Sequence, residues 1–436
     1  MCITEVEKEI NKRCPLIWKF DINNDQVIDS ILTGKRTAIL CLCETEISVK
    51  ENTDYRLVYD NEKEAAVICF KKVIDITIEE ITEKMAVRAG KEEKLKVEDW
   101  KNKVKECFKK LRPDFKDDTV VKFILFEIKE NLVLKRLSVA KMIAEENAAI
   151  VGKINCVREI HAGFNNSIFE VNQTYIFKIC TDIKKEDTFD TEANFYRENS
   201  DNETIPSMIR YDKSKKAIPY VYEILEKVEG KTLFYHWYCM REEERERLIC
   251  QLVKVIKDIH KHRKKGYDWA GMVQSRIEKK FFETENLFDS SEKQKIMGTL
   301  NLCDKILVDN YFSIIHNDLH FDNIFLDQNG RVRLIDFNDV TIAPFDYDFR
   351  FLYMMVDVPW KWANSEMESF QKKEDYKNLF LYVKKFYREL NDLKYLEERM
   401  KLYSILNDFD LLPRFPRASL KKQIMQNVEI LYQQTK

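Results

Sequence analysis

His316-Asn317-Asp318-Leu319-His320-Phe321-Asp322-Asn323 is the stretch on which the reading of this chain turns. It follows a short apolar run, residues 313–315, with the pattern of a strand. A β-hairpin pattern comes next: residues 323–326, the turn Asp327-Gln328-Asn329-Gly330, then residues 331–335. The hairpin ends in Leu334-Ile335-Asp336-Phe337, which places Asp336 thirteen residues after Asn323. Phosphoryl transfer needs one carboxylate to accept or orient the proton of an acceptor hydroxyl. It also needs an amide oxygen and a second carboxylate to hold Mg²⁺ against nucleotide phosphates. Asp318, Asn323 and Asp336 supply that set in the required order. A polar loop with an incidental His and Asp does not by itself bring strand, hairpin and both spacings together. His316 and His320 have neither an HExxH frame nor a cysteine partner, so zinc is the weaker reading.

Working upstream, the run Tyr175–Cys180 carries one lysine, Lys178, among apolar residues. A lysine on such a strand reaches nucleotide phosphates when a helix glutamate holds it. Glu192, fourteen residues on, has that placement, with Glu198 as competitor. Alone, Lys178 would read as a snorkelling edge-strand residue; the downstream motif favours the catalytic role. The turn that covers the phosphates falls at Gly163, Asn165, Asn166 and Ser167. It holds one glycine, and Asn and Ser there tolerate unusual backbone and donate to phosphate. The purine base is expected at the backbone of Glu226 to Val228. Backbone contacts there leave ATP and GTP undistinguished.

The chain has 436 residues, enough for two or three domains. Its formal net charge of -2 gives no global pull toward nucleic acid or anionic membrane. Only 9 glycines are present, about 2% against a usual ~7%. No GxGxxG and no GxxxxGK[ST] occurs, so the dinucleotide fingerprint and the P-loop are excluded. The 11 cysteines form no CxxC pair and suit a reducing cytosol. Cys41 and Cys43 are expected on one strand face as buried thiols. No apolar run is long enough to span a membrane, and the N-terminus lacks a signal-peptide pattern, which together point to the cytoplasm.

Residues 1–135 read as mixed α and β. Strand patterns fall at 37–43, 55–59, 65–70 and 120–128, and the charged segment 75–111 reads as mostly helical, anchored by Trp100. A helix is expected over 131–149, with a soft boundary near 130–152. Strand patterns follow at 154–159, 167–171, 175–180 and 219–225, with a helix at 189–198. Leu248, Ile249, Leu252, Val253, Ile256 and Ile259 recur at helical spacing. Beyond the hairpin, the rest of the chain reads as helical.

These residues resemble the aminoglycoside phosphotransferase and choline kinase-like group, a small-molecule branch of the protein kinase-like fold. The resemblance rests on His316 to Asn323, Ile335-Asp336-Phe337, the reduced loop at Gly163 to Ser167, and Glu229-Gly230, and it covers residues 152–436. It implies Asp318 as catalytic base, Asn323 and Asp336 as Mg²⁺ ligands, and Lys178 with Glu192 as the phosphate-binding pair, with ATP or GTP as donor. A further Asp follows in Ala343-Pro344-Phe345-Asp346-Tyr347-Asp348; Asp348 is the choice over Asp346. Where the group commonly has glycine after the first His, this chain has Asn317, which also adopts unusual backbone angles.

The N-terminal part resembles the ASCH domain, a PUA-like β-barrel associated with RNA or modified nucleosides. The residues that carry this are Ile31-Leu32-Thr33-Gly34-Lys35-Arg36-Thr37, Glu83, Asp99-Trp100 and the strand 121–128. Lys35, Arg36 and Thr37 are the ligand candidates, for a phosphate or a nucleobase carbonyl. Amidohydrolase members of this group carry GxKTxT; here Arg36 and Ile39 replace its lysine and second threonine, and Ala89 stands near their glutamate. Binding is therefore expected rather than hydrolysis. The implied fold is α+β: a PUA-like barrel with helices over 1–135, a β-rich small lobe over 136–229 and a helical lobe over 230–436.

Three activities compete. The first is a Mg²⁺-dependent kinase of a hydroxyl on a small molecule or nucleoside. The second is an RNA-directed kinase or RNA-binding protein whose N-terminal domain presents the substrate. The third is an aminoglycoside-type resistance kinase, which needs an acidic acceptor site; Asp348, Asp408 and Asp410 argue for it. Pro359-Trp360-Lys361-Trp362 reads instead as a surface for a ring or an anion, or as core packing. Acceptor identity and oligomeric state are not legible.

Overall fold

The N-terminal strands are buried in continuous runs, with apolar side chains on both faces. β1 (Ile17–Trp18), β2 (Ala38–Leu42), β3 (Thr53–Val58), β4 (Glu64–Thr77) and β5 (Val120–Asn131) form one sheet in the order β1-β3-β4-β5-β2. All pairs are antiparallel except β1 with β3. Ile39 and Cys41 join one apolar cluster and Ala38 another, so β2 contributes to both faces. Ile28 and Ile31 of the helix Asn24–Leu32 cover the first face. Trp100 and Phe108 of the helix Val97–Leu111 cover the second. Each such side chain, once buried, contributes about 1.5–3 kcal/mol.

This computed structural model describes residues 16–18, 24–42, 49–59, 64–160, 166–180, 185–216, 218–308, 310–363, 367–413 and 418–433. The chain divides into two compact units, Met1–Glu186 with Ile209–Lys227, and Asp187–Met208 with Val228–Lys436. Cys43 lies outside the described residues, while Cys41 is buried as expected. Two expectations need correcting in the first unit. No pairing of β1 with β2 closes the five strands into a barrel among the described residues. Residues 75–77, expected to be helical, end β4; the helices are Glu83–Arg88 and Val97–Leu111. The register shifts between Phe70 and Lys72, which breaks the alternation and hides the continuation of β4.

The helix Leu132–Glu146 leads into a second sheet of the same unit. No Pro/Gly linker separates the two sheets, and the reason is visible at Arg136. Its Nε and Nη2 donate to the Glu159 carboxylate at 2.8 and 3.2 Å, and its Nη1 donates to the Glu64 carbonyl at 2.7 Å. Both charged side chains are buried. The second sheet has the order β6-β7-β8-β10-β9, built from β6 (Val157–Ile160), β7 (Asn166–Val171), β8 (Tyr175–Cys180), β9 (Met208–Asp212) and β10 (Tyr222–Glu226). Phe169, Phe177 and Ile224 pack on Ala140, Ile143 and Ala144 of that helix. Ile168, Lys178 and Glu223 stand in one row on the opposite face.

The second unit is mainly helical. The helix Glu242–Ile259 buries Leu248, Ile249, Leu252, Val253, Ile256 and Ile259, the predicted stripe. Lys231–Thr232 (β11) pairs with Ile324–Leu326, and the latter with Val332–Leu334, which is the predicted hairpin. Gly230 has φ +112, and a Cβ there would run into the Leu326 carbonyl, so only glycine admits that approach. Phe312–Ile315 pairs with Thr341–Pro344. The latter strand lies in a stretch expected to be helical; its partner is 26 or more residues away, beyond any local pattern. The helices Trp269–Glu283, Ser290–Leu300, Leu379–Phe386, Leu396–Leu411 and Ala418–Tyr432 complete the unit. No helix of the described residues is long and apolar enough to cross a membrane.

Candidate active site

The loop after Ile315 turns sharply at Asn317, whose φ is +66. Asn adopts that left-handed region more readily than most residues, as glycine does. The turn is held by one buried carboxylate. Asp348 accepts from the backbone N–H of His316 at 3.0 Å and of Asn317 at 2.7 Å. His260 Nε2 lies 2.9 Å from the same carboxylate, with its other ring nitrogen 3.1 Å from the Tyr387 hydroxyl. Burial alone would raise the Asp348 carboxyl, but His260, His316 and the loop N–H groups lower it below its ordinary value. Arg350 Nη2 donates to the Asn317 carbonyl at 2.6 Å. Asp346, the alternative in the sequence, is instead forked by Arg399 at 2.7 and 2.9 Å.

His316 couples this loop to the hairpin. Its Nε2 lies 2.9 Å from the Ile335 carbonyl, which only accepts, so Nε2 carries the proton. Nδ1 is then free to accept from the Asp318 N–H at 3.3 Å. The next residue after Ile335 is Asp336, at φ +64. A non-glycine residue in that region is uncommon and carries strain of order 1–3 kcal/mol, held by its surroundings. Asn338 Nδ2 donates to Asp336 Oδ1 at 2.7 Å.

Asp318 and Asn323 meet directly. Asn323 Nδ2 donates to the Asp318 carbonyl at 2.8 Å and to Asp318 Oδ2 at 3.0 Å. Both bonds use the amide nitrogen, which leaves Oδ1 of Asn323 as an acceptor without a donor among the described residues. Burial opposes ionisation of Asp318, yet His320, His316 and Arg350 outweigh it and hold the carboxyl well below the usual range. His320 Nε2 lies 3.4 Å from Asp318 Oδ2. Asn323 Oδ1 and the Asp336 carboxylate are hard oxygen donors, two in number. Mg²⁺ takes one or two such ligands and completes its shell with water and phosphate oxygens. Among the described residues no group of three or more His, Cys, Asp or Glu forms a metal cage. The donor set therefore fits a cation shared with a nucleotide.

Glu192 lies in the helix Glu186–Glu198 and is fully buried. One turn on, Phe195 stacks on Phe337 at 4.4 Å, so this helix packs on the residue after Asp336. Lys178 is buried on β8 in the first unit, opposite Glu223 of β10. Asn166 opens β7, and Ser167 pairs with Ile179, which turns it to the face away from Lys178. Gly163 and Asn165 lie outside the described residues. Glu226 ends β10, and the chain passes between units at Lys227 and Val228. Lys35 and Thr37 are exposed and Arg36 is half-buried on the turn before β2.

Two residues near these sites had no sequence signal as functional groups. His260 follows an amphipathic helix and Arg350 an acidic turn, and each meets the loop only through tertiary folding. Glu223 had a faint one: a lone acid in an apolar strand, matching the lone lysine of β8. Beyond His320, rings follow one another. Phe351 lies 6.0 Å from His320, and Trp362 lies 5.7 Å from Phe351. Lys361 pairs with the buried Asp408, and Arg276 with Asp410 at 2.7 Å.

Residues 157–371 match the phosphotransferase enzyme family (APH), and residues 16–130 match the ASCH domain. Among solved structures, the GDP and kanamycin complex of APH(2'')-IIIa is 18% identical, with a TM-score of 0.52 over 68% of this chain and 98% of that one. The GDP complex of wild-type aminoglycoside 2'-phosphotransferase-IIIa is 16% identical, with a TM-score of 0.50 over 69% and 98%. At such identity the likeness shows a shared kinase-like fold. No curated protein matches this sequence.

Proposed function

We propose that this chain, whose residues 157–371 match the phosphotransferase enzyme family and whose residues 16–130 match the ASCH domain, transfers the γ-phosphoryl group of ATP or GTP to a hydroxyl of a small molecule or nucleoside. The observation that carries this reading is the Asp318–Asn323 lock, which fixes a carboxylate beside an amide whose nitrogen is engaged and whose oxygen is left to accept. Asp318, held ionised, orients the acceptor hydroxyl and takes its proton as the bond to phosphorus forms. A carboxylate with so low a pKa is a weak base, which suits a loose transition state where the proton leaves late. Asn323 and Asp336 would hold Mg²⁺, which when bound would neutralise charge on the donor phosphates. Lys178 is assigned to those phosphates and Glu192 to holding it. Gly163, Asn165, Asn166 and Ser167 are assigned to the phosphate turn, and Glu226 to Val228 to the base. The domains assigned are 1–135, 136–229 and 230–436, in a cytoplasmic protein.

For the acceptor, the rings at Phe351 and Trp362 favour a flat neutral group. The relatives named for aminoglycosides raise a polycationic acceptor as the second reading. Here Asp408 and Asp410 are already paired by Lys361 and Arg276, which weakens it. An ASCH domain that binds RNA or a nucleotide, and presents it to the kinase, is the third. Calorimetry with Mg²⁺-ATP and Mg²⁺-GTP, followed by turnover with nucleosides, sugars, aminoglycosides and short RNAs, tests all three. A protein that binds neither Mg²⁺-nucleotide ends the proposal.

A further inference from the structure

Lys261-His262-Arg263-Lys264-Lys265-Gly266-Tyr267 follows the helix Glu242–Ile259 and concentrates positive charge that the chain's net charge of -2 conceals. The run lies along the strand Phe312–Ile315, on the edge away from Thr341–Pro344. Arg263 bridges Ser313 there, and the Lys264 N–H donates to the Phe312 carbonyl at 2.8 Å. Gly266 passes so close that a Cβ on it would stand 2.5 Å from the Phe312 ring. The Tyr267 ring lies 5.1 Å from Phe312, and its hydroxyl donates to the Ile342 carbonyl at 3.3 Å. These bonds and contacts hold the run in one place, so it has little ordering entropy left to lose on binding.

No acid answers these cations. Among the described residues no carboxylate pairs with His262, Arg263, Lys264 or Lys265, and the acids nearest in sequence are engaged. Asp258 meets Lys261 at 3.6 Å, and Asp268 caps the helix Trp269–Glu283 by accepting from the Gly271 N–H at 2.9 Å. His262, Arg263 and Lys265 are exposed, and Lys264 is half-buried. Tyrosine rings border the run: Tyr267 is 49% exposed and Tyr311 46%. The Arg263 guanidinium lies 4.8 Å from the centre of the Tyr311 ring, so cation and ring are presented together. Basic runs of this length mark nucleic-acid patches, and rings beside them supply the stacking that a solvated charge run lacks. An anionic membrane is the poorer fit. It takes up amphipathic helices with an apolar face, whereas this run is non-helical and pinned to a strand.

We propose that residues 261–267, with Tyr311, form a binding surface for a single strand of nucleic acid on the second unit. Arg263, Lys264 and Lys265 meet phosphates along the strand, and bases stack on the open faces of Tyr267 and Tyr311. Such contacts read the backbone and the π-faces of the bases, so little sequence preference is expected. RNA and DNA strands share this chemistry, and the test separates them. The surface lies outside the catalytic loop and depends neither on phosphoryl transfer nor on a ligand of the N-terminal domain.

The test uses the full chain in EDTA, without Mg²⁺-nucleotide, so that kinase turnover, assayed separately, stands or falls on its own. The probes are oligo-U RNA, oligo-dT DNA, duplex DNA of the same length and phosphatidylserine vesicles. Wild type is expected to bind the single strands with an affinity that falls as salt rises. Combining Arg263→Gln, Lys264→Gln and Lys265→Gln is expected to weaken that binding at least tenfold. It is also expected to reduce the slope of log K against log salt by about 2, from about 0.7 for each lost phosphate contact. Tyr311→Leu keeps every charge and is expected to weaken binding about fivefold or more with the slope unchanged. If the combined variant fails to fold, as read by thermal unfolding, Lys265→Gln at its exposed position is expected to lower the slope by about 0.7. RNA bound more than tenfold tighter than DNA assigns RNA; equal affinities assign either strand. Vesicle binding without strand binding assigns the surface to a membrane and overturns the proposal. It is equally overturned if no single strand binds, if duplex DNA binds as tightly as the single strands, or if the folded charge variants keep the wild-type affinity and slope.

Discussion

Replacing Asp348 by Asn isolates what one buried carboxylate does for the catalytic loop. The side chain keeps its shape and loses its charge. In the wild type Oδ1 accepts from the Asn317 N–H, while Oδ2 accepts from the His316 N–H and meets His260 Nε2. An amide supplies one oxygen, so whichever N–H faces the new NH₂ group is left unsatisfied. A buried backbone N–H without an acceptor costs about 1–3 kcal/mol. The surviving bond drops from charge-assisted to neutral, a further ~1 kcal/mol. His260 is able to turn its acceptor nitrogen to the new NH₂, so no third loss is added. The sum is a loss of about 2–4 kcal/mol in the second unit. Urea unfolding followed by tryptophan fluorescence measures it. Phosphoryl-transfer kinetics on the same variant are expected to show kcat falling by more than the nucleotide KM rises, because the loop positions Asp318 rather than the donor. A variant within 0.5 kcal/mol of wild type, with kcat unchanged, would refute the reasoning.

Other outcomes follow from the same geometry. Arg399→Ala strands the buried Asp346, and is expected to cost about 3–5 kcal/mol or prevent folding of the second unit, read by circular dichroism. Lys361→Ala removes the cation beside Asp408, whose carboxyl burial already raises. A carboxyl with a raised folded pKa favours the folded state below its unfolded pKa, and that advantage fades as pH rises through the folded pKa. The destabilisation by Lys361→Ala is therefore expected to be small at acid pH and to grow toward neutral pH, measured as melting temperature against pH. Gly230→Ala is expected to lower the melting temperature, because its Cβ meets the Leu326 carbonyl where φ is +112.

The parts of the fold legible in the sequence were those set by local pattern. The strand Tyr175–Cys180 and the stripe of the helix Glu242–Ile259 are such cases, as is the hairpin turning at Gly330. Asn317 in place of a usual glycine was readable as a left-handed residue because Asn tolerates that region. Long-range pairing was not readable. The strand Thr341–Pro344 exists because Phe312–Ile315 lies beside it. The end of β4 was lost at a register shift. The site divides in the same way. Asp318, Asn323 and Asp336 stand in one spaced motif. His260 reaches Asp348 across 88 residues, and Arg350 reaches the Asn317 carbonyl across 33. No spacing rule reports such partners.

The central claim is that Asp318 orients an acceptor hydroxyl for phosphoryl transfer. The most direct measurement is the single-turnover rate of transfer from Mg²⁺-ATP or Mg²⁺-GTP, with wild type and Asp318→Asn compared at equal nucleotide occupancy. The account predicts a rate lower by about 10²–10⁴ in Asp318→Asn, with nucleotide affinity nearly unchanged. An Asp318→Asn protein that transfers phosphate at the wild-type rate would contradict it.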